Sequence, residues 1–194
     1  MKKIQDHYFK EARKQGYVAR SAFKLEEMDR KFRLLRRGQH VIDLGCAPGS
    51  WLQYAAKKVL PEGSLTGVDL KQVKIQFPES VRIYQSDIYT LKESILASSR
   101  FDLVLSDMAP DTTGIPSVDS QRSYDLNSQA LSFAQRHLKP GGTLVLKAFQ
   151  GEPLNRLKSE IHPCFESFKL FKPKSSRSES VEIFVLGFGL LPQS

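Results

Sequence analysis

A strand that breaks into a glycine turn and resumes as a helix is the feature that most limits what this chain can fold into. His40-Val-Ile-Asp-Leu44 is a short apolar run, Gly45-Cys-Ala-Pro-Gly-Ser50 interrupts it, and Trp51 to Val59 carries apolar residues at helical spacing. Leu60-Pro-Glu-Gly63 then ends the helix. Four more apolar runs follow, at Ser64–Asp69, Val81–Tyr84, Phe101–Leu105 and Gly142–Lys147, with helical patterns before most of them. The clearest is Tyr124 to Leu138, where Leu126, Ala130, Phe133, Ala134 and Leu138 share one face and Lys139-Pro-Gly-Gly142 stops the helix. Strands alternating with helices predict an α/β fold with a mostly parallel sheet, right-handed crossovers and helices on both faces. Ser167–Phe171 and Val181–Leu186 have only a polar loop between them, which predicts an antiparallel edge hairpin and makes the sheet seven-stranded. The Pro/Gly/Ser/Asp-rich stretch from Pro110 to Gln121 reads as a loop.

At 194 residues the expectation is one domain over 1–194, with a basic amino-terminal segment, 1–37, packed on it. Phe23, Leu25, Met28 and Phe32 give that segment a helix with one apolar face. No run of about 18 apolar residues exists and the first twenty residues are charged, so a soluble cytoplasmic protein is expected. Cys46 and Cys164 lie far apart, which gives a disulfide or a metal cluster little support. The net charge of +8 is unevenly spread: residues 1–40 hold 12 Lys/Arg against 5 Asp/Glu, the remainder 17 against 16. A basic segment on a nearly neutral body suits a polyanion, because Lys and Arg that meet phosphates release condensed counterions. A solubilising charged helix is the other reading.

In open α/β sheets ligands bind beyond the carboxyl ends of the strands, above all at the turn after the first. Here that turn is neither G-x-G-x-x-G nor a P-loop, so a pyrophosphate or triphosphate is poorly served. S-adenosyl-L-methionine has no phosphate, and its amine and sulfonium are positive, so acids at the strand ends would suit it. Gly45 and Gly49 would let backbone approach such a ligand; a tight turn with small residues for packing is the alternative. Asp69 ends the second strand, where an acid grips ribose hydroxyls. Asp87 follows the third and could meet an adenine edge, and Asp107, in Ser106-Asp-Met-Ala-Pro110, is within reach of both cofactor and substrate. Singly, each is more often a loop cap; three at successive strand ends are not a coincidence. Lys147 is a charge after the apolar Leu144-Val-Leu146, which marks either a functional group or a lysine snorkelling from a strand end.

These residues resemble the RrmJ/FtsJ family of ribosomal RNA 2′-O-ribose methyltransferases nearly end to end. The matching stretches are Arg20-Ser-Ala-Phe-Lys-Leu25, Asp43 to Trp51, Gly67-Val-Asp69, Ser106 to Pro110, Leu146-Lys147 and Lys172-Pro-Lys-Ser-Ser-Arg177 followed by Glu182. The resemblance implies a Rossmann-like, S-adenosyl-L-methionine-dependent methyltransferase fold with a tetrad at Lys24, Asp107, Lys147 and Glu182. It implies cofactor contacts at Gly49, Trp51, Asp69, Asp87 and Asp107, and as substrate a ribose 2′-hydroxyl of RNA, a uridine of large-subunit (23S) ribosomal RNA. The partner would be ribosomal RNA or the large ribosomal subunit, met by a monomer without membrane or metal. Val18 stands where members often carry an arginine, and Ser50 where they often carry a second glycine.

Methyl transfer to a hydroxyl is an in-line displacement that needs alignment and removal of a proton. Lys147 is the expected base. An ordinary lysine, with a pKa of about 10.4, is almost wholly charged at neutral pH, so the like charge of Lys24 and desolvation would have to favour the neutral amine, while Asp107 and Glu182 orient the lysines and the hydroxyl. Lys10, Arg13 and Arg20, with Lys172, Lys174 and Arg177, would flank the site and hold phosphates. Three rivals fare worse. An amino-group methyltransferase usually has an Asn/Asp-Pro-Pro-aromatic loop, and Ser106 to Pro110 offers no ring; a carbon-5 enzyme needs a nucleophilic cysteine, and Cys164 follows a helix remote from the strand ends. An RNA-binding ribosome-assembly factor that keeps the fold without turnover would not need the four tetrad residues intact.

Overall fold

The computed structural model describes residues 2–91, 96, 100–177 and 179–192, with side chains from His7 onward. The elements in chain order are α1 (Lys2–Lys14), α2 (Ala22–Phe32), β1 (His40–Leu44), α3 (Ser50–Val59), β2 (Ser64–Asp69), β3 (Val81–Gln85), β4 (Phe101–Ser106), α4 (Pro116–His137), β5 (Leu138–Phe149), α5 (Glu152–Ile161), β6 (Phe165–Phe171) and β7 (Glu182–Leu190). The strands form one seven-stranded sheet in the order β3-β2-β1-β4-β5-β7-β6. The first five run parallel to one another, and β7 runs antiparallel to β5 on one side and β6 on the other. The expected mostly parallel sheet with an antiparallel edge is therefore present.

Side chains alternate across each strand, and both faces are covered. Val41, Leu103, Leu105, Val145, Phe184 and Leu186 pack on the face that carries α2 and α3, together with Ala12 of α1. Ile42, Val104, Leu144, Leu146 and Val185 pack on the opposite face, under α4 and α5. Burial on both sides explains why these strands read as unbroken apolar runs, each fully buried Val or Leu contributing about 1.5–3 kcal/mol.

β6 starts two residues before the expected Ser167 and β7 runs on to Leu190 rather than Leu186, and two further boundaries differ in a way that bears on the site. α4 begins at Pro116, so residues 116–121 are helix rather than loop. Proline suits a first helical turn, and Asp119 ties the preceding chain down by accepting from the backbone N–H of Thr113 and Gly114. This part of α4 faces its neighbours with polar groups: Ser123 Oγ accepts from Phe149 N–H and Asn127 Nδ2 donates to the Lys147 carbonyl. The apolar periodicity that marks a helix is absent there. β5 in turn starts at Leu138, directly after α4, and runs through Pro140-Gly-Gly142 with an irregular register against β4 between Phe101 and Leu103. No helix among the described residues is long and apolar enough to cross a membrane.

Candidate active site

The turn after β1 is shaped by two glycines with positive φ, +78° at Gly45 and +110° at Gly49. A Cβ at Gly45 would stand 2.6 Å from Met108 Cγ, and one at Gly49 would stand 2.8 Å from Ile75 Cδ1. Their lack of a side chain thus admits protein neighbours, and only Gly45 of the two lines the cavity described below. Ser50 opens α3 with helical backbone, so the missing second glycine costs no strain, and its hydroxyl lies 2.7 Å from Ser21 Oγ. Trp51 is buried, donates Nε1–H to the Ser21 carbonyl at 2.8 Å and packs 5.9 Å from the Phe184 ring. It joins α2, α3 and β7 and does not line the cavity.

Beyond the carboxyl ends of β1, β2, β3 and β4 lies a cavity of about 580 Å³. Its wall holds Asp69, Asp87, Asp107, Asp111 and Asp125 against Lys71 and Arg122, an acidic surface in a basic protein. Asp69 accepts from Ala47 N–H at 2.8 Å with one oxygen and from Lys71 N–H at 2.7 Å with the other, and Asp87 accepts from Tyr89 N–H at 3.0 Å. Both carboxylates therefore hold their own loops while facing the cavity, with lone pairs to spare. Asp43 is the residue that sequence reasoning did not single out. It is fully buried, and neither carboxylate oxygen has a hydrogen-bond partner among the described residues. Burial, reinforced by the charges of Asp107 and Asp69, pushes its pKa well above the usual carboxylate range. The same signal that marked Lys147, a charge inside an apolar strand, was present at Asp43. Tyr89, Met108, Arg122 and Asp125 also line the cavity, and only the fold brings them there.

Strand register assembles the four residues of the tetrad. Lys147 lies one pleat beyond Val145 and Glu182 one pleat beyond Phe184, so both face α2, and antiparallel pairing sets Lys147 opposite Phe184 and Phe149 opposite Glu182. Lys24 reaches down from α2, its ammonium 2.7 Å and 2.8 Å from the two Glu182 oxygens. Lys147 Nζ is 2.9 Å from Asp107 Oδ1 and donates to the Asp107 carbonyl at 2.6 Å. Burial raises the pKa of Glu182, but the positive charges of Lys24 and Lys147 outweigh it and leave the group below its ordinary value.

The basic side chains divide in two. Arg20 donates to the Ser175 carbonyl at 3.1 Å, and Glu27 of α2 accepts from the backbone N–H of Lys174 and Ser175. This clips the loop bearing Lys172, Lys174 and Arg177 to α2, beside Lys24, with the three side chains exposed. Lys10 and Arg13 are exposed on α1, which reaches the body through Tyr8 and Ala12.

Residues 17–190 match the family model described as FtsJ-like methyltransferase. The chain belongs to this family. A ribosomal RNA large subunit methyltransferase E of Desulfatibacillum aliphaticivorans is 46% identical to this FtsJ-like chain over 186 residues, covering 95% of it and 90% of the relative. One from Syntrophobacter fumaroxidans is 45% identical over 190 residues, 96% of each chain. Among solved structures, a Plasmodium falciparum protein described as a ribosomal RNA methyltransferase superposes with a TM-score of 0.81 at 27% identity, covering 91% of this chain and all of that one. Neither cysteine of this FtsJ-like protein suits nucleophilic work. Burial, with Asp43 and Asp69 nearby, pushes the Cys46 thiol far up. Cys164 donates to the Glu160 carbonyl just before β6, at the edge opposite the cavity.

Proposed function

We propose that the protein transfers a methyl group from S-adenosyl-L-methionine to a ribose 2′-hydroxyl of RNA, a uridine of large-subunit (23S) ribosomal RNA, in the cytoplasm. The observation that carries this reading is the pair of lysine–carboxylate contacts, Lys24 with Glu182 and Lys147 with Asp107, beside an acid-lined cavity at the strand ends.

The cofactor suits the residues present. The excess of aspartates on the wall favours a cationic ligand without phosphate. Asp69 would hold ribose hydroxyls and Asp87 the adenine edge, with Asp107 shared between cofactor and substrate. Gly49 and Trp51 would act through the turn and helix that they shape. When bound, S-adenosyl-L-methionine supplies an electrophilic sulfonium methyl. Lys147 acts from its neutral amine form: Nζ takes the proton of the ribose hydroxyl and becomes the ammonium, which Asp107 pairs with and aims. Lys24, itself held by Glu182, orients the hydroxyl from the α2 side. Arg20, Lys172, Lys174 and Arg177 meet phosphates next to that pair, and Lys10 and Arg13 extend the same contact along α1.

The direct test is transfer of a labelled methyl group to large ribosomal subunits and to naked ribosomal RNA, followed by mapping of the product through its resistance to alkaline hydrolysis. The expected product is one alkali-resistant position. Label on a base, or no label although cofactor binds, would overturn the reading. Lys147→Ala is expected to lower the rate at least about 10³-fold while calorimetry shows the cofactor affinity within a few-fold of wild type. Normal turnover in that variant would remove Lys147 from its role as base.

A further inference from the structure

We infer that Ser21 and Ser50 are positioning residues for Lys24: their hydroxyl pair fixes α2 against α3 and so sets where Lys24 stands over the sheet. This rests on the ribose-methylation reading above and adds what seats its one helix-borne group.

Three members of the tetrad come from the sheet. Asp107 follows β4, Lys147 lies on β5 and Glu182 opens β7, and the ladders between these strands fix their spacing. Lys24 alone stands on a helix outside the sheet, so its distance from Lys147 depends on how α2 is held. The ion pair with Glu182 grips only the tip of a flexible four-carbon chain. The root of that chain is held from α3. The Ser21 carbonyl accepts the backbone N–H of Lys24 at 3.0 Å and Nε1–H of Trp51 at 2.8 Å, which occupies both of its lone pairs. Trp51 and Lys24 then meet the same ring. Phe184, set opposite Lys147 in the β5–β7 ladder, lies 5.9 Å from the Trp51 ring and 5.9 Å from the Lys24 ammonium.

The hydroxyl of Ser21 forgoes its ordinary use. A serine just before the first residue of a helix normally turns its oxygen back onto a free helix N–H, and Ser21 makes no such bond. Its Oγ lies instead 2.7 Å from Oγ of Ser50, the first residue of α3, which is 2% exposed. The two hydroxyls satisfy one another, and a bond of that length is lost when the helices slide by about 1 Å. Ser50 stands where related sequences often carry glycine, which has no hydroxyl to offer, so the contact belongs to this chain rather than to the turn as such. Gln53, through Gly16 and Val18, and Tyr54, through Asp29, bind α3 to α2 and to the segment before it. Loss of the serine pair therefore displaces Lys24 without releasing α2.

The test compares the wild-type chain with Ser21→Ala/Ser50→Ala, which removes both hydroxyls together and strands neither, so its melting temperature is expected within about 4 °C of wild type. On large ribosomal subunits from a methylation-deficient source, kcat is expected to fall about fivefold, because a small misplacement of an orienting group slows transfer. The KM for subunits, and cofactor affinity by calorimetry, should stay within about twofold. Neither serine lines the cavity, which is why cofactor binding should not move. An unchanged kcat, a parallel loss of cofactor affinity, or a larger drop in melting temperature would each overturn the assignment, the last by making the pair a stability contact. A second readout needs no turnover. Trp51 is the only tryptophan, and its indole N–H, bonded to the Ser21 carbonyl, is expected to exchange with solvent at least about tenfold faster in the double variant by NMR. An unchanged exchange rate also overturns the assignment. Failure of the wild-type protein to methylate ribose would instead sink the functional reading while leaving the indole result standing, so the two failures are told apart.

Discussion

Asp43 shows what a single buried carboxylate does to stability. Because its folded pKa lies well above that of an unfolded aspartate, the native state holds the proton more tightly than the denatured one. Stability is therefore lost as pH rises from the unfolded value, about 3.9, toward the raised folded one. Asp43→Asn, which has no charge to bury, is expected to melt higher than wild type without cofactor, with a gain that grows as pH rises from 4 to 8. A lower melting temperature at neutral pH would show that the oxygens are satisfied after all. Glu182 has the opposite sign. Its folded pKa is lowered, so its contribution is present above the ordinary carboxylate value and disappears as pH falls through the folded one. Glu182→Gln should cost about 2 kcal/mol in denaturant titrations at pH 7, below the ~3–5 of a fully buried pair because both side chains keep 12% exposure. The difference from wild type should shrink below about pH 4.

At the scale of elements, legibility followed the apolar pattern. β1, β2, β4 and α3 were readable because their buried residues are apolar and their ends carry turn signals. The first turns of α4 were not, since Asp119, Ser120 and Ser123 are buried and polar, and only the tertiary partners of these residues make that part of the helix coherent. The tetrad likewise spans α2, β5, β7 and the end of β4, and neither periodicity nor composition says that they meet; the family resemblance placed them together, and β5–β7 register explains why they can meet. Trp51 and Gly49 were legible as important but not in what they touch. Gly45 makes this testable. Its φ of +78° and the Met108 atoms within 3.1 Å of a would-be Cβ leave no room for a methyl group. Gly45→Ala should destabilise by about 1–3 kcal/mol in thermal or chemical unfolding and weaken cofactor binding, because the turn and the loop after β4 must separate. Wild-type stability in that variant would mean that Met108 yields at little cost.

The whole molecule carries two opposed fields: a basic exterior, concentrated on the amino-terminal third and the 172–177 loop, and an acidic cavity. In the proposed reaction they divide the labour between two charged ligands. Counterion release makes RNA affinity fall with salt by a slope of about 0.7 per phosphate neutralised on a single strand. Six contacts, from Lys10, Arg13, Arg20, Lys172, Lys174 and Arg177, would give a slope near 4 and a loss of roughly 300-fold between 50 and 200 mM salt. Cofactor binding, which releases no condensed counterions, should change by less than about threefold over the same range. The triple variant Lys172→Gln/Lys174→Gln/Arg177→Gln removes three of those contacts without adding repulsion, so the slope should drop by about 2. Cofactor affinity should be untouched, because none of these side chains lines the acid-walled cavity. If the RNA slope is the same in wild type and triple variant, the loop clipped to α2 by Glu27 does not meet phosphate, and the strand must enter along α1 alone.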